Sequence, residues 1–257
     1  MSEEVVAADR TIAFVGGLHR SGTTLLARRL AAHPDASGFA DTGVPADEGQ
    51  HLQSVYPAAQ RFGGPGRFSF AAEMHLTEDS PLATAANGEQ LRADWSRHWD
   101  VTRAVLVEKS PPNLLKMRFL QELFPQARFV VVLRHPIATA LATQKWSGTR
   151  LHELIRHWLV CNETALADLP HLRHATVTHY EQLVEDDDEL VRLQRFLGLE
   201  PAPLGEPTRQ GLNEAYFAQW DRLTASAPRA LYRAAIVRRF EARVARFGYS
   251  LRHPRGA

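Results

Sequence analysis

Cysteine and recognisable metal-binding motifs are nearly absent from this sequence. Its 257 residues include one cysteine, Cys161, which excludes an intrachain disulfide and a cysteine-based metal cluster. The 12 histidines do not form HExxH or another recognisable zinc spacing. We therefore predict no metal site, and the lack of a disulfide is typical of a reducing compartment.

Long apolar runs and a strong charge of one sign are missing too. No run of about 18 apolar residues occurs, so we expect no membrane span. The first ten residues lack the basic and apolar segments of a signal peptide, which favours a cytoplasmic location. With 30 Lys and Arg against 29 Asp and Glu, the formal net charge of +1 gives no reason to expect nucleic-acid binding.

Apolar patterning, by contrast, is plentiful and alternates between two periods. Hydrophobic residues make up 44% of the chain, enough for a sizeable core. Strand-like runs occur at 11–16, 104–107, 128–133 and 175–178, and helical patterns at 21–32, 90–99, 114–124, 136–144, 151–167, 189–197 and 229–247. This alternation predicts an α/β fold with a mostly parallel sheet flanked by helices on both faces.

The chain has no internal repeat or clear linker, so we predict a single domain over 1–257. Its first part, 11–41, is a strand, a tight loop and a helix, followed by a short apolar turn in which a second strand should end. The part from 42 to 100 is an insertion whose first half is rich in Gly, Pro and acids. Loops of this length are usually functional. Residues 104–257 form the remainder of the predicted domain.

A glycine-rich loop, Gly16 to Thr24, joins the first strand to the first helix and reads GGLHRSGTT. In this setting, backbone amides and a helix N-terminus form an anion site. Compared with the nucleotide-triphosphatase pattern G-x-x-x-x-G-K-[ST], Thr23 stands where the lysine belongs, and the cation is Arg20. The loop therefore predicts a phosphate or sulfate site rather than an ATPase or GTPase site.

A second basic loop follows the clearest strand pattern, RFVVVL, at residues 128–133. It begins with Arg134-His135-Pro136 and leads into a helix. An arginine at the carboxyl end of a strand, beside a helix N-terminus, is well placed to bind an anion. The sequence thus predicts two anion sites in one fold.

The first loop, read as Arg20-Ser21-Gly22-Thr23-Thr24, resembles the 5'-phosphosulfate loop of the sulfotransferase superfamily. Arginine at its first position resembles the tyrosylprotein and bacterial branches. The resemblance implies a P-loop-type fold, with 3'-phosphoadenosine 5'-phosphosulfate (PAPS) as sulfuryl donor and 3'-phosphoadenosine 5'-phosphate (PAP) as product. It also implies that Arg20, Ser21, Gly22, Thr23 and Thr24 hold the 5'-phosphate and the transferring group.

The same resemblance assigns the other end of the nucleotide. The family binds the 3'-phosphate with an arginine after this strand, here Arg134, and a serine eight positions on, where this sequence has Ala142. Thr143 is our candidate for the missing hydroxyl. Tyr180, in a segment that resembles the family's Tyr-Glu-Asp-Leu-Val, is the candidate for the adenine side.

Sulfuryl transfer requires a base for the acceptor and cations for the developing charge. By resemblance the base lies 21 positions after Arg20, which is Asp41, an aspartate in place of the family's glutamate. Lys109 matches the family's lysine that stabilises the leaving group. Three nearby residues remain rivals of Asp41 for the role of base: Asp47, Glu48 and His51.

The insertion is expected to form the acceptor side, but it does not identify the acceptor. A hydroxyl or amine on a small molecule, a peptide or a glycan remains open, as does the oligomeric state. A P-loop kinase or nucleotide hydrolase is the alternative enzyme, although the loop lacks its lysine and Arg134 replaces an acid. A catalytically inactive nucleotide-binding protein is the non-enzymatic alternative, which Ala142 and the shorter acid Asp41 leave open.

Overall fold

A five-stranded parallel sheet lies at the centre of the protein. In the computed structural model, the described residues are 10–202 and 211–256. The strands are β1 (Thr11–Gly17), β2 (Ala36–Gly38), β3 (Val105–Lys109), β4 (Arg128–Leu133) and β5 (Ala175–His179). Their order in the sheet is β2-β3-β1-β4-β5, and all neighbours are parallel. The predicted α/β fold with a P-loop-type parallel sheet is confirmed.

Helices cover both faces of this sheet. Their bounds within the described residues are α1 (Thr23–Ala31), α2 (Ala85–Ser96), α3 (Met117–Leu123), α4 (Pro136–Ser147), α5 (Leu151–Asp168), α6 (Tyr180–Glu185), α7 (Asp187–Phe196), α8 (Glu214–Asp221) and α9 (Ala227–Ala245). Alternate residues of β1 enter two separate cores. Ile12 and Phe14 pack in the larger one, and Ala13 and Val15 pack in a smaller one with α1 and α7. Burial on both faces explains why the central strands read as continuous apolar runs.

The strand register brings the two predicted anion loops together. Gly17, the last residue of β1, pairs with Val132 near the end of β4. The loops that follow these two strands therefore leave the sheet at the same edge. In open parallel sheets, ligands bind at the carboxyl ends of the strands, so we expect the functional site at this edge.

Several element boundaries differ from the sequence-based expectation; α2, for example, covers Ala85–Ser96 rather than 90–99, and three further differences lie near the predicted site or change an element. Strand β3 runs through Lys109, so Glu108 and Lys109 lie in the strand rather than after it. Strand β2 ends at Gly38, before the turn that leads to Asp41, where its end was expected. The helix expected over 114–124 is divided into a 3-10 turn, Pro111–Leu115, and α3, because Lys116 between them has non-helical backbone angles.

The segment between β2 and α2 contains short 3-10 turns rather than longer elements. They lie at Pro45–Asp47, Gly49–His51, Ala59–Phe62, Phe68–Phe70 and Ala72–Met74. Side chains from α2 hold this segment: the Trp95 indole donates to the Gly49 carbonyl at 3.0 Å, and Asp94 accepts from the Ser54 amide at 3.0 Å. These bonds place residues 48–54 beside the carboxyl end of β3.

Candidate functional site

The loop after β1 is a tight turn that directs the N-terminus of α1 toward the sheet edge. Arg20 and Gly22 both have positive φ, 69° and 103°. A Cβ at Gly22 would lie 2.5 Å from the Tyr180 ring, so glycine is required there for space as well as for conformation. No side chain caps α1 at Gly22, which leaves the amides of its first turn free to bind an anion.

Ser21 carries an unpaired hydroxyl into this loop. The residue is 1% exposed, and its Oγ has no hydrogen-bond partner in the described part of the chain. A Cβ at Gly17 would lie 2.6 Å from this Oγ, so Gly17 keeps the space beside it open. Buried hydroxyl groups normally have partners. The orphaned donor, next to an uncapped helix, therefore fits the phosphate group that the sequence predicts here.

Arg20, the first residue of the predicted motif, is exposed in contrast to Ser21. Its guanidinium lies 5.3 Å from the centroid of the Trp146 ring, which is half-exposed near the end of α4. This distance is typical of a cation–π contact. Trp146 was not predicted as a site residue, and its position in an apolar helix gave no signal of this contact.

Lys109 lies buried at the carboxyl end of β3. Its Nζ donates to the Ala46 carbonyl at 2.6 Å and lies 3.5 Å from Glu48 Oε1. Burial lowers the pKa of Lys109, while the negative charges of Glu48 and Glu108 oppose that shift. The lysine is therefore bound to the segment after β2, which is the predicted acceptor side.

The turn that presents Ala46 to Lys109 has an unusual backbone. Ala46 and Asp47 have φ of 54° and 50°, the left-handed region that costs a residue with a side chain roughly 1–2 kcal/mol. The Asp47 carboxylate holds this turn by accepting from the amide and hydroxyl of Thr42, at 2.9 and 2.7 Å. Those two bonds lower the pKa of Asp47.

The candidate carboxylates lie in different environments. Asp41 is exposed and lines a cleft of about 540 Å³ together with Thr24, Asp47 and Lys109. Glu48 is buried against Lys109, and its Oε2 lies 3.9 Å from His51 Nε2. The structure thus brings Asp41 to the same cleft as Lys109, while Glu48 is in direct contact with the lysine.

Glu108 is a further acid that sequence reasoning did not assign to the site. It is fully buried beside Lys109 and accepts from the Ser110 hydroxyl at 2.7 Å and from the Asn113 amide. Burial raises the pKa of Glu108 to about 7. Ser110 Oγ also accepts from the Gln50 amide at 2.8 Å, so Glu108 helps to fix residues 48–50 against β3.

Arg134 lies in the second of the two loops, and the protein itself contacts most of its guanidinium group. Its Nε donates to Asn213 Oδ1 at 2.9 Å, and its Nη1 donates to the Arg20 carbonyl at 2.8 Å. The guanidinium carbon lies 4.2 Å from the Tyr180 ring centroid and 5.7 Å from that of Tyr216. The bond to Arg20 joins the two loops directly, as the register of β1 and β4 predicts.

The hydroxyl expected beside Arg134 has a different partner. Thr143 is buried and its Oγ1 donates to the His19 carbonyl at 3.4 Å, while Ala142 is buried without a polar group. Tyr180, the first residue of α6, does lie against Arg134. Asn213 and Tyr216 were missed by sequence reasoning, because nothing in their sequence context connects them to a strand end far earlier in the chain.

Metal clusters and membrane-spanning helices are absent from residues 10–202 and 211–256. No group of three or more His, Cys, Asp or Glu side chains is arranged to hold a metal ion. None of the helices in those ranges is long and apolar enough to cross a bilayer.

An uncapped helix, a basic loop and a lysine lie together at the carboxyl edge of a parallel sheet, an arrangement typical of α/β proteins that bind anions. The model of the sulfotransferase family matches residues 13–203, and the chain belongs to that family. This confirms the resemblance seen in the sequence.

Two curated relatives agree with this assignment. Nodulation protein NoeE of Sinorhizobium fredii is 27% identical over 219 residues, which cover 74% of this chain and 51% of that protein. Protein-tyrosine sulfotransferase 1 of Danio rerio is 26% identical over 200 residues, which cover 74% of this chain and 54% of that protein. The chain thus spans about half the length of these relatives.

Solved structures share the fold at lower identity. The sulfotransferase domain from the Synechococcus olefin synthase matches with a TM-score of 0.51 and 23% identity, covering 75% of this chain and 74% of that one. A sulfotransferase from Mycobacterium avium matches with a TM-score of 0.51 and 15% identity, covering 83% and 68%. These similarities support the fold assignment.

Proposed function

We propose that this protein transfers a sulfuryl group from PAPS to a hydroxyl or amine acceptor and releases PAP. The observation that carries the proposal is the pair of anion-binding loops at one sheet edge. One loop has the uncapped α1 and the orphaned Ser21 hydroxyl, and the other has Arg134. A nucleotide with phosphate groups at both its 5' and 3' positions suits such a site.

In this proposal the two ends of the nucleotide have separate partners. The loop from Arg20 to Thr24 binds the 5'-phosphate and the sulfuryl group through its amides and hydroxyls. Arg134 binds the 3'-phosphate, and the Tyr180 ring contacts the adenine. Thr143 would have to leave the His19 carbonyl to offer its hydroxyl to the 3'-phosphate.

Bound PAPS supplies an activated sulfuryl group. The acceptor oxygen or nitrogen forms a bond to sulfur as the bond from sulfur to the bridging oxygen breaks, and the acceptor proton passes to a carboxylate. We assign that carboxylate to Asp41, which faces the cleft beside Lys109. Lys109 and Arg20 stabilise the charge that develops on the leaving phosphate.

The acceptor is proposed to enter through the cleft lined by Asp41, Asp47 and Lys109. Small molecules, tyrosyl peptides and glycans are all within the proposed acceptor class, and a tyrosine-sulfating enzyme is among the relatives. Turnover of labelled PAPS with phenol, tyrosyl peptide, sugar and lipid-alcohol acceptors identifies the class.

Isothermal titration with PAP, AMP and ATP tests the donor assignment. We expect PAP to bind, and loss of the 3'-phosphate to weaken binding by about 1.5–3 kcal/mol, as for a charge-assisted hydrogen bond. Preference for ATP over PAP would favour a kinase or nucleotide hydrolase. Binding of PAP without turnover of PAPS on any acceptor would favour an inactive nucleotide-binding protein.

A further inference from the structure

Glu181, which no part of the proposed chemistry uses, lies behind the Arg134 loop. Its Oε1 accepts from Asn213 Nδ2 at 2.7 Å and from the His135 amide at 3.1 Å. Its Oε2 accepts from the Tyr249 hydroxyl at 2.9 Å. One carboxylate therefore ties α6 to the loop after β4, to the residue before α8 and to the segment after α9.

The donors around Glu181 determine how Asn213 is oriented. An amide side chain has an accepting oxygen and a donating nitrogen, whereas an ionised carboxylate only accepts. Glu181 therefore takes Nδ2 of Asn213 and leaves Oδ1 to face Arg134 Nε, at 2.9 Å. The reverse orientation would place two donors against each other and an oxygen against the carboxylate.

The Tyr249 hydroxyl is held as a donor toward Glu181. Burial and the neighbouring charge of Glu181 raise the pKa of Tyr249, so its hydroxyl keeps its proton. The same hydroxyl lies 2.8 Å from His179 Nδ1. Tyr249 thus contacts the Glu181 carboxylate directly, and His179 on β5 contacts the same Tyr249 hydroxyl.

Arg134 is left with one uncommitted nitrogen. Nε and Nη1 bond to Asn213 and Arg20, and the guanidinium plane is stacked on Tyr180. Among residues 10–202 and 211–256, no side chain or carbonyl accepts from Nη2. A guanidinium fixed at two nitrogens presents the third in a defined direction.

We propose that Glu181, Asn213 and Tyr249 act as positioning residues that fix Arg134, and so set the preference for a 3'-phosphorylated nucleotide over its unphosphorylated analogue. This inference rests on the proposed function, in which Arg134 binds the 3'-phosphate. It adds the origin of the selectivity, which lies in three residues that do not contact the nucleotide themselves.

The test compares PAP and AMP affinities, measured by isothermal titration, in Glu181→Gln and in Tyr249→Phe. A glutamine offers only one accepting oxygen to three donors, so Glu181→Gln should weaken PAP binding about 5- to 10-fold and leave AMP binding unchanged. Tyr249→Phe removes one of the three donors and should give a smaller change of the same kind. Glu185→Gln, on the exposed side of the same helix, is the matched control and should change neither affinity.

A double-mutant cycle with Arg134→Ala shows whether the effect passes through the arginine. In that background Glu181→Gln should cause no further loss of PAP affinity. Equal weakening of PAP and AMP, or an unchanged PAP-to-AMP ratio in both folded variants, would overturn the positioning role alone. Equal affinities of the unmodified protein for PAP and AMP would instead overturn the 3'-phosphate assignment of the proposed function.

Discussion

The two loops proposed to bind the phosphate groups of the nucleotide are built in opposite ways. Arg134 is buried, bonded at two nitrogens and stacked on an aromatic ring. At the other loop, Ser21 Oγ is unpaired within the described residues, and α1 begins without a side-chain cap. Most donors of Arg134 are paired within the protein, whereas the loop after β1 holds an unpaired hydroxyl beside an uncapped helix.

Because of this contrast, we expect the two loops to contribute differently to the free energy of folding and to the free energy of ligand binding. A buried donor without a partner costs about 1–3 kcal/mol, and a ligand that accepts from it removes that penalty. The loop after β1 should therefore gain the most from a ligand, while Arg134 should contribute to stability even without one. Such a division is common where function and stability make different demands on the same residues.

The largest expected effect concerns Asp41, the proposed base, which lines the cleft together with Thr24 of the first loop. General base catalysis contributes about 10²–10⁴-fold, so Asp41→Asn should lower kcat by that order with little change in PAP affinity. Asp41→Glu should retain more activity than Asp41→Asn. Both are measured by steady-state kinetics with labelled PAPS.

The rival carboxylates and His51 provide the controls for this assignment. Asp47→Asn, Glu48→Gln and His51→Ala are assayed in the same way. Near-native turnover of Asp41→Asn together with collapse of Glu48→Gln would move the base to the residue in contact with Lys109.

The next effect concerns the two cations. Arg20→Ala and Lys109→Ala should each lower kcat/KM by roughly 10²–10³-fold, because the proposed mechanism uses both side chains to stabilise developing charge. Both variants should fold, which thermal denaturation checks. An inactive variant that is also unfolded would assign its residue a structural role.

The environment of Lys109 can be tested through the pH dependence of the reaction. Burial lowers the pKa of Lys109, so kcat/KM should fall on the alkaline side once the lysine loses its proton. Glu48→Gln removes a negative charge that raises the pKa of Lys109. The decrease of kcat/KM at high pH should therefore begin at a lower pH in this variant. The pH profile of kcat/KM measures this shift. An unchanged alkaline decrease in Glu48→Gln would contradict the influence of Glu48 on the pKa of Lys109.

Other groups also face Lys109 and have to be considered in that profile. Glu108 and Asp47 raise its pKa as Glu48 does. The rings of His19 and His51 interact with the lysine as well, and burial and the lysine's charge lower the pKa of both histidines. Because both histidines are neutral on the alkaline side, their titration should not contribute to the decrease of kcat/KM at high pH.

A smaller effect tests the contrast between the loops directly. Arg134→Ala should lower both Tm and PAP affinity, because it removes bonds within the folded protein and the contact proposed with the 3'-phosphate. Ser21→Ala should weaken PAP binding by about 1.5–3 kcal/mol but leave Tm unchanged or raised, because no protein partner is lost. Calorimetry gives the two Tm values and isothermal titration gives the two affinities. A clear loss of Tm in Ser21→Ala would show that the protein itself uses this hydroxyl, contrary to the difference described between the two loops.

The smallest effect concerns the turn that holds Lys109. Ala46→Gly relieves a positive φ and should raise the free energy of unfolding by about 0.5–1 kcal/mol, with activity retained because the carbonyl remains. Ala86→Gly in the exposed part of α2 is the control and should lower it by a similar amount. Urea unfolding measures both, and destabilisation by Ala46→Gly would argue against strain in this turn.

Much of the fold could be predicted from the sequence because its signals are local. The strand pattern 128–133 coincides with β4, and the glycine-rich loop lies between β1 and α1 as predicted. The contact between Tyr180 and the Arg134 guanidinium is consistent with the expectation that both lie at one site.

The geometry around Lys109 could not be predicted in the same way. Propensity gives no reason for Ala46 to adopt a left-handed conformation, and the bonds that tie this turn to Thr42 and Lys109 carry no sequence signal. The end of β3 was missed because Glu108 is an acid within a buried strand, tolerated through Ser110 and Asn113. Asn213 lies 79 residues from Arg134 along the chain, a separation over which spacing carries no information.

The bond from Arg134 Nη1 to the Arg20 carbonyl has a consequence for cooperativity. We expect a ligand group that orders one loop to favour the ordered arrangement of the other through this bond, and thermodynamic linkage requires any such influence to be equal in both directions. Two separate fragments, one with the 5'-phosphate and one with the 3'-phosphate, should thus each bind more tightly when the other is present. The intact nucleotide would then benefit from the coupling between its two ends as well as from the contacts at each.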